Sequence, residues 1–158
     1  MKILGIDPGT ATTGFGLIEK SGVKLTKLDA GVISTPKTEV MHNRLKMLYD
    51  DLSELVKTNQ PAYLAVEKLF FTNNITTAMS VSQARGIVLL VAAENKIELA
   101  EYTPLQVKMS VTGYGQAEKK QVQEMVKKIL KLKTIPKPDD AADALAIAIC
   151  HSATVKGV

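Results

Sequence analysis

The first 34 residues contain only strand-like segments, and this order constrains the fold more than any other feature of the chain. Residues 2–6 form a short apolar run that ends at the turn Asp7-Pro8-Gly9-Thr10. Residues 14–19 and 23–34 follow as partly alternating, β-branched segments, joined by Lys20-Ser21-Gly22. A connection of that length is typical of a hairpin. Three antiparallel strands are therefore predicted before the first helix.

The rest of the chain alternates between helical and strand patterns. Apolar residues recur at spacings of three and four over residues 40–56, which predicts a helix, and Tyr63–Glu67 is typical of a buried strand parallel to the first. A long apolar helix capped by Thr76 or Thr77 should end near Glu94, before a strand over 96–102. Further helices are predicted over 104–111, over 117–130 and from Asp139 or Asp140 to His151. These elements predict an α/β fold with a mixed five-stranded sheet flanked by helices, and one domain over residues 1–158.

Composition excludes several classes of protein. The chain has 158 residues, 46% hydrophobic and 23% charged, which is ordinary for a soluble domain. Its longest uninterrupted apolar run, residues 87–93, is too short to cross a bilayer, and the N-terminus does not resemble a signal peptide. One cysteine, Cys150, gives neither a disulfide framework nor a cysteine-based zinc site. We expect a cytoplasmic protein without a membrane span.

Positive charge is concentrated in the second half of the chain. The net charge is +4, but residues 96–137 alone hold nine lysines against four glutamates. A local basic field of this kind favours binding to a phosphate backbone. A solvated surface of helix-favouring residues is the alternative interpretation of the same charges.

Four carboxylates occupy positions from which they could converge. Asp7 and Glu67 end two strands predicted to be parallel, while Asp140 and Asp143 are three apart, on one face of the first turn of the last helix. Clustered anions need a cation, and oxygen ligands select Mg²⁺ or Mn²⁺. Taken singly, Asp7 could be a turn residue, Asp140 a helix cap and Asp143 a complement to the helix dipole. Glu67 follows an apolar strand and needs a partner, so the set as a whole predicts a metal site.

Six strings of residues, in order along nearly the whole chain, resemble the bacterial RuvC Holliday-junction resolvase family. They are Met1-Lys2-Ile3-Leu4-Gly5-Ile6-Asp7-Pro8-Gly9, Ala65-Val66-Glu67, Gln83-Ala84-Arg85-Gly86, Gln106-Val107-Lys108, Ala117-Glu118-Lys119-Lys120-Gln121-Val122, and Asp140-Ala141-Ala142-Asp143-Ala144-Leu145-Ala146-Ile147-Ala148. The resemblance implies an RNase H-like fold, a homodimer, and Mg²⁺-dependent cutting of four-way DNA junctions at two symmetric sites. It also suggests a RuvA–RuvB-type branch-migration partner.

The resemblance also assigns roles to residues. It makes Asp7, Glu67, Asp140 and Asp143 the catalytic metal ligands. Two Mg²⁺ ions, or Mn²⁺ in their place, could activate a water and stabilise the leaving oxygen, which would leave 5′-phosphate and 3′-hydroxyl ends. The DNA-binding residues implied are the aromatic pair Phe70 and Phe71 and the lysines Lys108, Lys119 and Lys120. Phe70 is favoured as the DNA-facing ring, with core packing as the alternative for both rings. The long apolar helix is expected to form the dimer interface, and a buried central helix is the alternative for it.

Two other functions are compatible with parts of the sequence. Asp7-Pro8-Gly9-Thr10 followed by Thr13-Gly14 also resembles the phosphate loop of actin-like ATPases, although those need two lobes and this chain has material for one. A noncatalytic junction-binding protein is the third possibility, but the four acids favour catalysis. His42 and His151 are interpreted as helix residues without a catalytic role.

Overall fold

The computed structural model describes residues 1–69 and 74–156. The strands are β1 (Lys2–Asp7), β2 (Thr12–Ser21), β3 (Lys24–Ser34), β4 (Tyr63–Glu67) and β5 (Glu98–Tyr102). The helices are α1 (Met41–Asn59), α2 (Ile75–Glu94), α3 (Pro104–Thr112), α4 (Lys119–Ile129) and α5 (Asp139–Thr154).

The strands form one sheet in the order β3-β2-β1-β4-β5. The first three are antiparallel neighbours, while β4 pairs in parallel with both β1 and β5. The predicted mixed five-stranded sheet is confirmed. The β2–β3 turn lies slightly later than predicted, because Lys20 and Ser21 still pair with β3 and Gly22 adopts the left-handed conformation, with φ of +59°.

Alternation along the strands divides the core into two layers. Ile3 of β1 and Ala65 of β4 pack with residues of α3, α4 and α5. Leu4 and Ile6 face the other way, toward α1 and α2. Because side chains alternate in a strand, Asp7 emerges on the same face as Ile3, the face that α5 covers. The same alternation places Glu67 on the face of Ala65.

The main chain of α5 packs directly against the main chain of the sheet. A Cβ atom added to Gly5 would lie 2.1 Å from the carbonyl oxygen of Ala144, and one added to Gly14 would lie 2.1 Å from that of Asp140. Both distances are far below van der Waals contact, so only glycine fits at these positions. The two glycines therefore determine how closely the acidic start of α5 approaches β1 and β2.

Two details of the helix ends differ from the sequence predictions. The cap of α2 is Asn74, whose side chain accepts a hydrogen bond from the Thr77 backbone at 3.2 Å, so the prediction of Thr76 or Thr77 was wrong. On α5, which begins at Asp139, Asp143 lies one turn beyond Asp140 rather than with it in the first turn. The two acids still share a face, since residues three apart are neighbours on a helix.

The α2 helix has one buried face and one exposed apolar face. Ala84, Val88 and Val91 are buried in the core, whereas Ile75 is 69% and Met79 62% exposed. By length and mean hydropathy alone, α2 could cross a membrane. The sequence prediction of no membrane span considered only unbroken apolar runs, and polar residues interrupt the apolar stretch of α2. Core helices pass the same test, and one face of α2 lies in the core, although only 28% of its apolar stretch is buried.

Candidate metal centre

The strand ends and the start of α5 bring three carboxylates together. One oxygen each from Asp7, Asp140 and Asp143 lies within 4.8 Å of the others. Asp7 is the last residue of β1, and its antiparallel partner Gly14 makes room for α5. Carboxylate oxygens at this spacing are a donor set suited to a hard divalent cation.

Glu67 lies near this trio without belonging to it. It lines a cleft of about 260 Å³ together with Asp7, Asp143 and the lysines Lys108 and Lys119. Asp140 does not line that cleft, and its carboxylate accepts a hydrogen bond from the Thr12 hydroxyl at 2.8 Å. The interpretation of Asp140 as a helix cap does not hold, because Pro138 occupies the cap position and no side chain caps the helix. Asp7 and Asp143 thus join the trio to the cleft.

Burial and mutual repulsion raise the pKa values of the carboxylates. The pKa of Asp7 rises from 3.8 to about 7, first because burial removes it from water and then because Asp143, Glu67 and Asp140 repel its charge. Burial followed by the charge of Asp143 also raises the pKa of Glu67. Each of these effects penalises negative charge, so the group of acids lacks sufficient positive charge to balance it. A bound divalent cation would supply that charge.

Lys119 provides part of the compensation. Its Nζ lies 3.5 Å from an oxygen of Asp143 and 3.4 Å from one of Asp139. Burial acts to lower the pKa of this lysine, but the charges of Asp143 and Asp139 and its hydrogen bonds to them together raise the pKa. The pKa of Asp143 is nevertheless raised, because burial outweighs the opposing charge of Lys119. One ammonium group therefore does not balance the site.

The three lysines predicted to bind DNA do not all lie in the cleft. Lys108 and Lys119 lie in the cleft. Lys120 points elsewhere and lines a separate depression with Tyr114 and Glu118. Phe70 and Phe71 lie outside the described residues, so their roles stay predictions.

Three residues that support the site were missed by sequence reasoning. Thr12 holds Asp140, and Asp139 pairs with Lys119 although it was considered only as a helix start. Arg85 of α2 donates to the backbone oxygen of Glu67 at 3.4 Å and forms an ion pair with Glu101 at 2.8 Å. An arginine in an otherwise apolar helix was the available signal for Arg85, since only two of the chain's 20 basic residues are arginine.

Comparison with known proteins shows the family to which the chain belongs. The family model described as crossover junction endodeoxyribonuclease RuvC matches residues 3–151. The chain belongs to the RuvC family. A RuvC of Desulfitobacterium hafniense is 57% identical over 98% of this chain and 94% of its own length. The RuvC of Rubrobacter xylanophilus is 53% identical over 95% of this chain and 84% of its own.

Solved structures of the RuvC family have the same fold. The Thermus thermophilus RuvC structure superposes with a TM-score of 0.88 at 37% identity, covering 96% of this chain and 93% of that one. A second structure, of T. thermophilus RuvC in complex with Holliday junction substrate, gives a TM-score of 0.91 at the same identity and coverage. The RNase H-like fold and the endonuclease prediction are thereby confirmed over the actin-like and noncatalytic alternatives. RuvC membership and the carboxylate cluster together indicate use of a divalent metal.

Proposed function

We propose that this chain resolves four-way DNA junctions by paired symmetric nicks, leaving 5′-phosphate and 3′-hydroxyl ends, in homologous recombination and DNA repair. The observation that carries the proposal is the carboxylate trio opening into a cleft that also holds two lysines. The carboxylate oxygens can bind a metal cation, and the adjacent lysines can bind a phosphate. One cleft therefore has the groups that metal-dependent hydrolysis of a phosphodiester needs. The substrate is supported by the likeness to a RuvC bound to a Holliday junction.

The proposed cofactor is Mg²⁺, two ions to a site, with Mn²⁺ able to substitute. Asp7, Asp140 and Asp143 would hold the ions, with Glu67 contributing from the lining of the adjacent cleft. Divalent cations bound there would activate water and stabilise the leaving oxygen. The hydrogen bond from Thr12 fixes one carboxylate of the set before any ligand arrives.

The lysines of the cleft are proposed to position the phosphate. Lys119 is held by Asp139 and Asp143 at the cleft wall, and Lys108 lines the same cleft. A phosphodiester entering there would meet two ammonium groups, which orient it and offset its charge. Lys120, which lines a separate depression, and the aromatic residues Phe70 and Phe71 are also proposed to contact the junction.

The proposed assembly is a homodimer formed through α2. Ile75, Met79 and Leu90 of this helix are 69%, 62% and 48% exposed, and exposed apolar side chains of this size favour burial by a partner. A two-fold dimer would match the two-fold symmetry of a junction and supply one nick from each protomer. A RuvA–RuvB-type partner, cytoplasmic location and a single domain over residues 1–158 complete the proposal. The proposal of a single domain is supported by the carboxylate trio, because its members lie on β1 and α5, near opposite ends of the chain.

Cleavage assays test the proposal directly. The protein should be incubated with immobile and mobile four-way junctions, linear duplex and single strands, each with and without Mg²⁺, and the nick positions and end groups mapped. We expect symmetric nicks in junctions only, and only with the metal. Asp7→Asn should bind junctions but not cut them, while Asp51→Asn, an exposed residue of α1, should behave as wild type. Metal-independent cutting, or equal cutting of linear duplex, would contradict the proposed function.

A further inference from the structure

Six lysines form a basic surface outside the acidic cleft, five at the C-terminal end of α4 and along the segment that leads to α5, and one on β3. Two shallow depressions meet there and share Leu132. One is lined by Lys27, Lys133 and Lys137, and the other by Lys127, Lys128 and Lys131. We refer to these six residues as the α4 lysine surface.

The charge of the α4 lysine surface is almost uncompensated. Among the residues that line its two depressions, Glu124 is the only acid. Within residues 1–69 and 74–156, none of the six lysines belongs to an ion pair. Lysines that merely decorate a stable helix are usually interspersed with acids. A surface with six positive charges and one negative charge is instead suited to a polyanion.

The α4 lysine surface is connected with the acidic cleft through α4 and through the segment that returns to α5. The α4 helix begins at Lys119 in the cleft and runs for 11 residues, about 16 Å at the usual helical rise. The return segment ends at Lys137, two residues before Asp139, which pairs with Lys119. Phosphates on one DNA strand advance by about 3.4 Å along the axis of the duplex, so about five phosphates span this length where the axis runs parallel to α4. A duplex arm whose axis runs parallel to α4 would therefore present its phosphates to the lysines at the end of this helix.

We infer that the α4 lysine surface binds the sugar–phosphate backbone of a duplex arm, with the lysines at the end of α4 about five phosphates from the bond that is cut. The inference rests on the proposed function, because it assumes that the cleft holds a junction strand. In the described part of the chain, neither depression has an aromatic side chain that could stack on a base. The contact therefore recognises charge and sets the direction of the arm without reading its sequence.

The test combines a protein variant with a chemical change in the DNA. Lys128→Gln with Lys133→Gln removes two charges from exposed side chains and leaves the core intact. The control, Lys46→Gln with Lys57→Gln, removes two charges from α1, which packs on the opposite layer. Junctions are prepared with natural backbones or with neutral methylphosphonates at the fourth to sixth phosphates from the cut site. Binding is measured without divalent metal over a range of salt concentrations.

A plot of log affinity against log salt concentration should be shallower for the α4 variant than for wild type. We expect the slope to decrease in magnitude by about 1.8 for each arm bound, because each of the two lost phosphate contacts contributes about 0.9. The α1 variant should keep the wild-type slope. Neutral methylphosphonates should weaken binding by wild type but have a much smaller effect on the α4 variant, because the two changes remove the same contacts.

Two results would overturn the inference while leaving the proposed function intact. One is an unchanged salt slope in the α4 variant, and the other is an equal effect of methylphosphonates on wild type and variant. Failure of the wild-type protein to bind or cut any junction would instead overturn the proposed function, together with the inference that rests on it.

Discussion

Replacing Asp7 by Asn should stabilise the metal-free protein, although it removes a proposed ligand. The pKa of Asp7 is raised from 3.8 to about 7, so folding works against ionisation of this carboxylate. Each tenfold change in a protonation equilibrium corresponds to about 1.4 kcal/mol, which gives an upper value of about 4 kcal/mol for holding Asp7 ionised in the folded state. Asparagine has nearly the same shape and no charge. At pH 8, in EDTA, the free energy of unfolding of the variant should therefore exceed that of wild type by roughly 2 to 4 kcal/mol.

The pH dependence provides the internal check. Because the folded-state pKa of Asp7 is raised, wild type has its full stability below pH 4, where this carboxyl is protonated in both states. That stability is lost as the pH rises toward 7. The difference between variant and wild type should therefore be under about 2 kcal/mol at pH 5 and largest above pH 7. Saturating Mg²⁺ should reduce the difference, since a ligand at a hundred times its Kd adds about 2.7 kcal/mol to the protein that binds it.

The assay is urea unfolding followed by circular dichroism, at pH 5 and 8, with EDTA or Mg²⁺. Asp51→Asn on the exposed side of α1 serves as the control and should change stability by less than about 0.5 kcal/mol. Equal stability of Asp7→Asn and wild type at pH 8 in EDTA, or a difference that does not depend on pH, would refute the reasoning.

The remaining predictions concern residues that shape the site indirectly. Arg85→Ala should lower the cutting rate and raise the Mg²⁺ concentration needed for it, with junction binding retained, because it releases the backbone of Glu67; Arg85→Lys should restore part of the rate. Equal Mg²⁺ requirements in all three proteins would argue against a positioning role. Gly14→Ala should cost about 3 kcal/mol or more of stability and abolish cutting, since the new methyl meets a carbonyl of α5, while Gly86→Ala meets nothing within 4 Å and should be neutral or stabilising in urea unfolding. Burial lowers the pKa of His151, so the unfolded chain takes up a proton first and stability falls as the pH falls through the usual histidine range. His151→Gln should show a smaller loss of stability between pH 7.5 and 5.5, and an identical loss would exclude His151 as the source.

The sheet could be predicted because its determinants are local. Alternating apolar residues, the turn after Asp7 and the hairpin before β3 are all visible in short windows of sequence. Parallel pairing of β1 with β4 follows from the helix between them. The convergence of Asp7 with Asp140 and Asp143 then follows from strand ends and helix spacing, which is why three carboxylates were found without any structural information.

The supporting contacts of the site could not be predicted in the same way. Thr12 and Asp140 are separated by 128 residues, and their hydrogen bond depends on how closely α5 approaches the sheet. A threonine in a strand carries no signal of that distance. Lys119 and Lys120 are adjacent in sequence, yet a helix turns by about 100° per residue, so only Lys119 faces the cleft. Patterns in a sequence identify faces of elements, whereas the distances between elements depend on the packing of the whole chain.

The contact between glycines and α5 makes the spacing of the acids largely independent of the rest of the core. Where a helix rests on side chains, exchange of one aliphatic residue for another moves it by a fraction of an ångström. Here the main chain of α5 rests on the main chain of β1 and β2 at Gly5 and Gly14. Aliphatic exchanges between the sheet and α1 or α2 can therefore accumulate during evolution without changing the distance between Asp7 and Asp140. The layer that supports the proposed dimer face is thus able to diversify while the chemistry stays fixed.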